Sequence, residues 1–259
     1  MEPILVTGGT GQLGREVVDL LVAAGRPVRV LSRSATAAGP ATAAERVVGD
    51  LATGAGLAEA TAGVGAIVHC ASNRRDTRRV DLDGTRQLLE AARRQGQPHV
   101  VFVSIVAVDR VPVSYYRAKL GAERIVGEAG LPWTILRAAQ FHTLIHDLLA
   151  KLARAPVVAV PRGWGAQPVD VRDVAARLIG LVDAGPVGRA PDFGGPKAYP
   201  VEALARSLLA ATGRHRPVVR IPVPGKVSRA LREGANLTPD QPRGIRTWEE
   251  FLADRYTAD

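Results

Sequence analysis

The chain has 259 residues, 46% of them hydrophobic and 23% charged, a balance that excludes a disordered chain and fits a globular protein with a sizeable core. Cys70 is its only cysteine, which rules out an intramolecular disulfide and a cysteine-rich metal site. The net charge of +9, from 34 Lys+Arg against 25 Asp+Glu, is dispersed without a basic tail or a DNA-reading motif, so a solvated arginine-rich surface and no nucleic-acid partner are expected.

The first half alternates short apolar runs with helical patterns. "PILVTG" (3–8) reads as a buried strand, and Leu13, Val17, Leu20, Leu21 and Ala24 then share a face at helical spacing, with Gly25 as the stop. Further strands are expected at 27–33, 46–50, 66–72 and 99–105. Between the last two, "TRQLLEAARRQG" sets Leu88, Leu89 and Ala92 on one side and arginines on the other. A helix from Ala118 to Gly127 precedes a sixth strand, "LPWTILRA" (131–138).

Strands alternating with helices imply parallel pairing through right-handed crossovers, a Rossmann-type doubly wound α/β sheet. Beyond it, seven prolines from Pro156 to Pro200 break the chain into short pieces, among which "FHTLIHDLLAKLA", "VRDVAARLIGLVD" and "PVEALARSLLAATG" remain amphipathic helices. The expected organisation is a nucleotide-binding core over 1–138 and a small, mixed substrate-binding lobe over 139–259, packed on the core and able to return a strand to the sheet. The N-terminus shows no signal-peptide pattern, and no apolar run reaches the ~18 residues of a membrane span. A cytoplasmic protein, monomeric or homodimeric, with no membrane association is expected.

Gly9, Gly11 and Gly14 satisfy G-x-G-x-x-G, and Gly8, Gly11 and Gly14 satisfy G-x-x-G-x-x-G, between a strand and a helix. Glycine there permits the tight turn, the approach of a pyrophosphate and close helix–strand packing, while the helix N-terminus faces the phosphate. The expected cradle is Gly8, Thr10, Gly11, Gln12, Leu13 and Gly14. The second strand ends in Leu31-Ser32-Arg33-Ser34 without the carboxylate that would bind a ribose 2′-hydroxyl, and a guanidinium suits a 2′-phosphate. Ser32 and Arg33 therefore favour NADPH, with NADH possible. Asp50, beside Leu51, stands where it could meet the adenine amino group or cap the next helix, and Ala71 and Ser72 end the fourth strand at the same sheet edge.

The sequence resembles the short-chain dehydrogenase/reductase superfamily, in its atypical, NmrA-like NAD(P)H-binding branch. The resemblance rests on residues 7–14, Gly49-Asp50, "DLDGTRQLLEAA" (81–92), Tyr115-Tyr116-Arg117-Ala118-Lys119, "PWTILRAAQF" (132–141) and "PVDVRDVA" (168–175). It implies that Tyr115 and Lys119, one helical turn apart, are an acid–base pair in which the lysine supports the phenolate and holds the nicotinamide ribose. The family's hydroxyl residue after the fifth strand aligns with Ile105, and Ser104 lies one position earlier, so Ser104 is a catalytic candidate only if its hydroxyl reaches the site. The connection to Tyr115 is short and contains Pro112, which implies a pocket open to flat or bulky substrates.

Gln140, Phe141 and His142 follow the sixth strand, where substrates bind in such folds. His142 and His146 share a helical face, but no third ligand accompanies them and no metal is expected. Arg74, Arg75, Arg78 and Arg79 read as the solvated start of a helix, with an anion grip as the alternative. Asp170 and Asp173 read as helix-start residues, Trp164 as a packed aromatic and Cys70 as a small core residue. The expected function is an NADPH-dependent oxidoreductase moving hydride between nicotinamide and a small-molecule carbonyl or quinone. The alternatives are a non-catalytic NmrA-like redox sensor, and an isomerase or epimerase with a retained cofactor.

Overall fold

The computed structural model describes residues 1–34, 44–240 and 243–256. Two units are present: Met1–Ser104, Ser114–Arg137 and Val174–Ala190 form the first, and Ile105–Val113, Ala138–Asp173 and Pro191–Asp259 the second.

The first unit is built on the expected Rossmann-type parallel sheet. Its strands are β1 (Ile4–Thr7), β2 (Val28–Ser32), β3 (Glu45–Val48), β4 (Ala66–His69), β5 (His99–Ile105), β6 (Trp133–Ala138) and the two-residue strand Gly188–Arg189, in the order β3-β2-β1-β4-β5-β6 with Gly188–Arg189 beside β6. Val6 pairs with Val30 of β2 and Val68 of β4, and Val68 with Val101 of β5, all in parallel register. Residues 4–7 and 66–69 are buried throughout, because a parallel strand covered by helices on both faces has no side left for water. The chain order reverses between β1 and β4, and that switch point is the ligand-binding position of doubly wound sheets.

Helices α1 (Gln12–Ala23), α2 (Leu57–Thr61), α3 (Gly84–Arg93), α4 (Ser114–Glu128) and, farther along, α6 (Val171–Ala184) flank these strands in sequence. Leu88 and Leu89 of α3 and Ala122 and Val126 of α4 join Leu5, Ile67, Val100 and Phe102 of the sheet in one apolar cluster. Helix α1 buries Leu13, Gly14, Val17, Val18 and Leu21, whereas Leu20 and Ala24 of the expected face are exposed. The buried stripe is turned toward Gly14 and Val18, because the glycine loop brings the first turn of α1 hard against its own strand.

Helix α4 starts at Ser114, four residues before the predicted Ala118, which carries Tyr115 and Tyr116 onto the helix. Its first turn is polar and half-exposed, so apolar periodicity could not announce it. Helix α3 is likewise preceded by a π-helical turn, Arg78–Asp83, where sequence periodicity starts only at Leu88. Such widened turns are rare and tend to mark functional positions.

The second unit contains α5 (His142–Leu152), α7 (Val201–Ala211), α8 (Lys226–Arg232) and α9 (Trp248–Tyr256). It has two small sheets, Val158–Pro161 parallel to Val218–Ile221 and Gly165–Ala166 antiparallel to Tyr199–Pro200. Its core gathers Leu149, Val160, Tyr199, Leu204, Leu208, Trp248 and Phe251. Among the described residues, no helix is long and apolar enough to cross a membrane.

Candidate active site

The glycine loop after β1 has the shape its sequence requires. Gly8 has φ +69°, and a Cβ there would lie 2.8 Å from both Ala71 N and Ala71 Cα, so only glycine lets the loop pass the end of β4. A Cβ on Gly14 would run into the Gly8 carbonyl, 2.6 Å from its carbon, so this glycine lets α1 leave the strand so sharply. Gly11 differs: its Cβ would meet only Gly8 O, at 3.1 Å. Gly11 is also the N-cap of α1, which carries neither a capping side chain nor an acidic residue in its first turn. A bare, positive helix end behind a glycine cradle fits a dinucleotide pyrophosphate.

Below this loop a chain of hydrogen bonds runs from β1 to the π-helical turn. The Ala71 N–H donates to Thr7 Oγ1 (3.3 Å), and Thr7 Oγ1 lies 2.6 Å from His69 Nδ1. On the other side of the ring, His69 Nε2 is 3.0 Å from Thr85 Oγ1, whose hydroxyl donates to the Asp81 carbonyl at 2.6 Å. Because Thr85 spends its proton on Asp81, it must accept from His69, so the imidazole carries its proton on Nε2 and accepts from Thr7. The ring is fully buried, and burial, with the nearby Lys119 charge, pushes its pKa down to about 3. It is a neutral structural group that holds the π-turn against the sheet.

The side chain of Asp81 sits at the centre of the site. It is 1% exposed, and its carboxylate accepts from Ser72 Oγ at 2.6 Å and from the Asn73 N–H at 3.1 Å, while Lys119 Nζ stands 3.8 Å away. Ser72 Oγ in turn lies 2.9 Å from the Tyr115 hydroxyl. The path from phenol to ammonium therefore runs Tyr115, Ser72, Asp81, Lys119. Lys119 is 3% exposed and sits over the Phe102 ring, 4.2 Å from its centroid. The Arg74 guanidinium lies 5.2 Å from the centroid of the Tyr115 ring.

Burial is the largest influence on both members of the pair. It raises the Tyr115 pKa, with the Asp81 charge adding to the rise and Arg74 opposing it. It lowers that of Lys119, against the pull of Asp81, Cys70 and Glu123. Burial likewise pushes the Cys70 thiol up to about 12, which leaves it unreactive as a nucleophile.

The remaining candidates fall in separate places. Ser32 closes on its own turn, its Oγ donating to Ser34 O at 2.9 Å, and the Arg33 side chain that follows is exposed. Asp50 forms an Asx turn with the Ala52 N–H at 2.9 Å and is not the cap of α2, whose N-cap is Gly56. Thr10 and Gln12 are exposed on the glycine loop, whereas Leu13 and Leu51 turn their side chains into the core, so only their backbones can face a ligand. Ser104 is buried, and its hydroxyl has no hydrogen-bond partner among the described residues.

In the second unit, Gln140 and Phe141 are half-buried at the start of α5 and His142 is 1% exposed. The His142 ring packs 5.2 Å from Phe251 and 5.9 Å from Trp248, with Nδ1 3.8 Å from Asp170 Oδ2, beyond hydrogen-bond distance. His146 Nε2 meets Tyr256 Oη at 2.6 Å. Among the described residues, no group of three or more His, Cys, Asp or Glu side chains could hold a metal ion. Asp170 binds Arg172 and Arg246, and Asp173 accepts the N–H groups of Ile245 and Arg246 at 2.8 and 3.0 Å. Trp164 donates to Ser228 Oγ at 2.9 Å.

Sequence reasoning passed over Asp81 and Thr85 as functional positions. The available signal was a carboxylate flanked by Val80 and Leu82 inside an arginine-rich run, an arrangement that buries the acid along with its apolar neighbours.

The chain belongs to the NAD(P)H-binding family, which it matches over residues 8–179. It is 32% identical over 220 residues to a Streptomyces griseus (4-alkanoyl-5-oxo-2,5-dihydrofuran-3-yl)methyl phosphate reductase, covering 82% of this chain and 74% of that one. It is 29% identical over 247 residues to the chloroplastic divinyl chlorophyllide a 8-vinyl-reductase of Oryza sativa, covering 85% of this chain but spanning only 61% of the plant protein. In fold it resembles an Escherichia coli NADPH-dependent quinone oxidoreductase solved with NADPH, with a TM-score of 0.82 at 19% identity over 98% of this chain and 99% of that one.

Proposed function

We propose that the protein is an NADPH-dependent oxidoreductase that moves hydride between nicotinamide and a carbonyl or quinone. The observation that carries this reading is the hydrogen-bonded connection of Tyr115 to a buried Asp81–Lys119 ion pair through Ser72. A surface tyrosine with a packing role would have no need of a buried charge pair behind it, whereas a phenol that gives up and regains a proton does. Family membership and the reductase names of the two relatives described above support hydride chemistry.

Gly8, Thr10, Gly11, Gln12, Leu13 and Gly14 would hold the pyrophosphate through backbone N–H groups and the α1 terminus. Ser32 and Arg33 would meet the adenosine ribose, Asp50 and Leu51 the adenine, and Ala71 and Ser72 the nicotinamide half. The bound cofactor would supply the hydride. Tyr115 would donate the proton to the substrate oxygen and Lys119 would balance the resulting phenolate. We assign NADPH over NADH on the exposed guanidinium of Arg33 and the lack of a carboxylate at the end of β2. Gln140, Phe141 and His142, which follow β6, are the proposed substrate-side residues; Gln140 and Phe141 are half-buried, and the His142 ring is buried against Trp248 and Phe251.

A redox-sensor role is supported by one observation. The buried Ser104 hydroxyl stands outside the Tyr115 network, and Ile105 occupies the position where the resemblance expects a hydroxyl. The deciding experiment is NADPH consumption by the purified protein against quinones, aldehydes and ketones, with Tyr115→Phe in parallel. Turnover that collapses in the variant establishes the reductase. Turnover equal in both proteins removes Tyr115 as the acid. Cofactor binding without turnover in either transfers the case to the sensor.

A further inference from the structure

We propose that Asp81 is a positioning residue of the Tyr115–Lys119 pair: bridged to the phenol by Ser72 and ion-paired with the ammonium, it keeps Tyr115 protonated and sets the site to give a proton to substrate oxygen rather than to take one. This rests on the oxidoreductase reading and adds to it a direction, reduction over oxidation.

The argument starts from how firmly Asp81 is held. Its backbone carbonyl is tied through Thr85 and His69 to Thr7 of β1, and its carboxylate accepts from Ser72 Oγ and Asn73 N. The residue lies on the π-helical turn that precedes α3, where the widened backbone presents this side chain to Ser72 and Lys119. Asp81 cannot swing to solvent, being 1% exposed, so its carboxylate is fixed in place within the site.

A lysine beside a tyrosine ordinarily favours the phenolate, the form that withdraws a proton from an alcohol. Here the lysine charge is already partly neutralised, and a carboxylate stands one hydroxyl away from the phenol. Ser72 donates to Asp81, so in the resting site Tyr115 donates to Ser72 and must hold its proton to do so.

The other groups facing these two residues are accounted for. Arg74 over the Tyr115 ring favours the phenolate and Tyr116 opposes it. Glu123 and Cys70 face Lys119, and His69, also near it, is neutral. Of the acidic groups, Asp81 alone acts on both members of the pair.

The test is a near-ultraviolet tyrosinate titration of the full-length, cofactor-free protein, with Tyr115 isolated from the other three tyrosines by difference against Tyr115→Phe. In the wild type the Tyr115 midpoint should lie above the ordinary value of about 10. Asp81→Asn, which keeps the shape but removes the charge and one of the two acceptor oxygens, should lower that midpoint by about one pH unit or more, and Asp81→Glu should restore most of it. Ser72→Ala removes the acceptor to which the protonated phenol donates and should likewise lower the midpoint.

A midpoint in Asp81→Asn equal to or above the wild-type value overturns the proposal. Should that variant fail to fold, Ser72→Ala decides alone, since Ser72 is exposed; an unchanged or raised midpoint there overturns it. No turnover is needed for these readings. Failure to consume NADPH therefore counts against the oxidoreductase reading, and an unmoved midpoint against the role of Asp81.

Discussion

Glu123 and Arg137 form a buried, two-pronged ion pair, with Arg137 Nε 2.8 Å from Glu123 Oε1 and Nη2 2.7 Å from Oε2. Both side chains are less than a tenth exposed. Glu123 lies one turn beyond Lys119 on α4, so this pair pins the helix that carries Tyr115 and Lys119 to β6. Removing one partner strands a charge in a site with little water, which costs about 3–5 kcal/mol. Glu123→Ala should lose roughly that much stability in urea unfolding, whereas the double variant Glu123→Leu/Arg137→Met should recover most of it.

The two glycines that flank the start of α1 should behave differently. Gly14→Ala drives a methyl group into the Gly8 backbone and should cost about 1–3 kcal/mol of stability or more. Gly11→Ala meets only one carbonyl oxygen at 3.1 Å, so the fold should survive with a melting temperature within a few degrees of wild type. Its methyl group would stand where the pyrophosphate must approach, and NADPH affinity, measured by calorimetry, should fall roughly tenfold or more.

Arg33 carries the proposed cofactor preference. A charge-assisted contact to a 2′-phosphate is worth about 1.5–3 kcal/mol. Arg33→Asp should therefore weaken NADPH binding by roughly tenfold or more while changing NADH binding much less. Equal losses for the two cofactors would remove the argument for NADPH.

His69 predicts an acid limit to stability. Its folded pKa of about 3 lies below the unfolded value of about 6.5, so between these values the unfolded state binds the extra proton. Stability from this group is complete above about pH 6.5 and is lost as pH falls, by up to about 1.4 kcal/mol per pH unit. His69→Gln should flatten that part of the pH–stability curve, at the cost of a lower plateau near neutral pH. A slope equal to wild type would assign the acid limit to other groups.

Ala107 is a non-glycine residue at φ +64° in the connection after β5. A left-handed alanine costs about 1 kcal/mol relative to glycine. Ala107→Gly should therefore be neutral to stabilising by up to about 1 kcal/mol in thermal unfolding, against the usual direction of an alanine-to-glycine change.

The inner strands of the sheet were legible because they are apolar on both faces, so the buried runs at 4–7, 66–69 and 99–104 needed no tertiary information. The glycine loop was equally legible, since backbone curvature at Gly8 and Gly14 is written in residue type. Tyr115 and Lys119 were singled out by the resemblance of residues 115–119 to a family pattern, whose four-residue spacing places both on one side of a helix. The first turn of α4 was not, because polar residues there leave no apolar stripe to read.

What lay beyond the sequence was the company those residues keep. Asp81 is 34 positions from Tyr115 and 38 from Lys119 in the chain, and only the packing of the π-helical turn against α4, with Ser72 between, brings the carboxylate between phenol and ammonium. Nor could periodicity reveal that His69 would be sealed between Thr7 and Thr85, or that Glu123 would find Arg137. A local pattern encodes which face of an element is buried, because burial repeats with the backbone period. Which charge meets which depends on long-range packing, and electrostatics at a few ångströms is decided there.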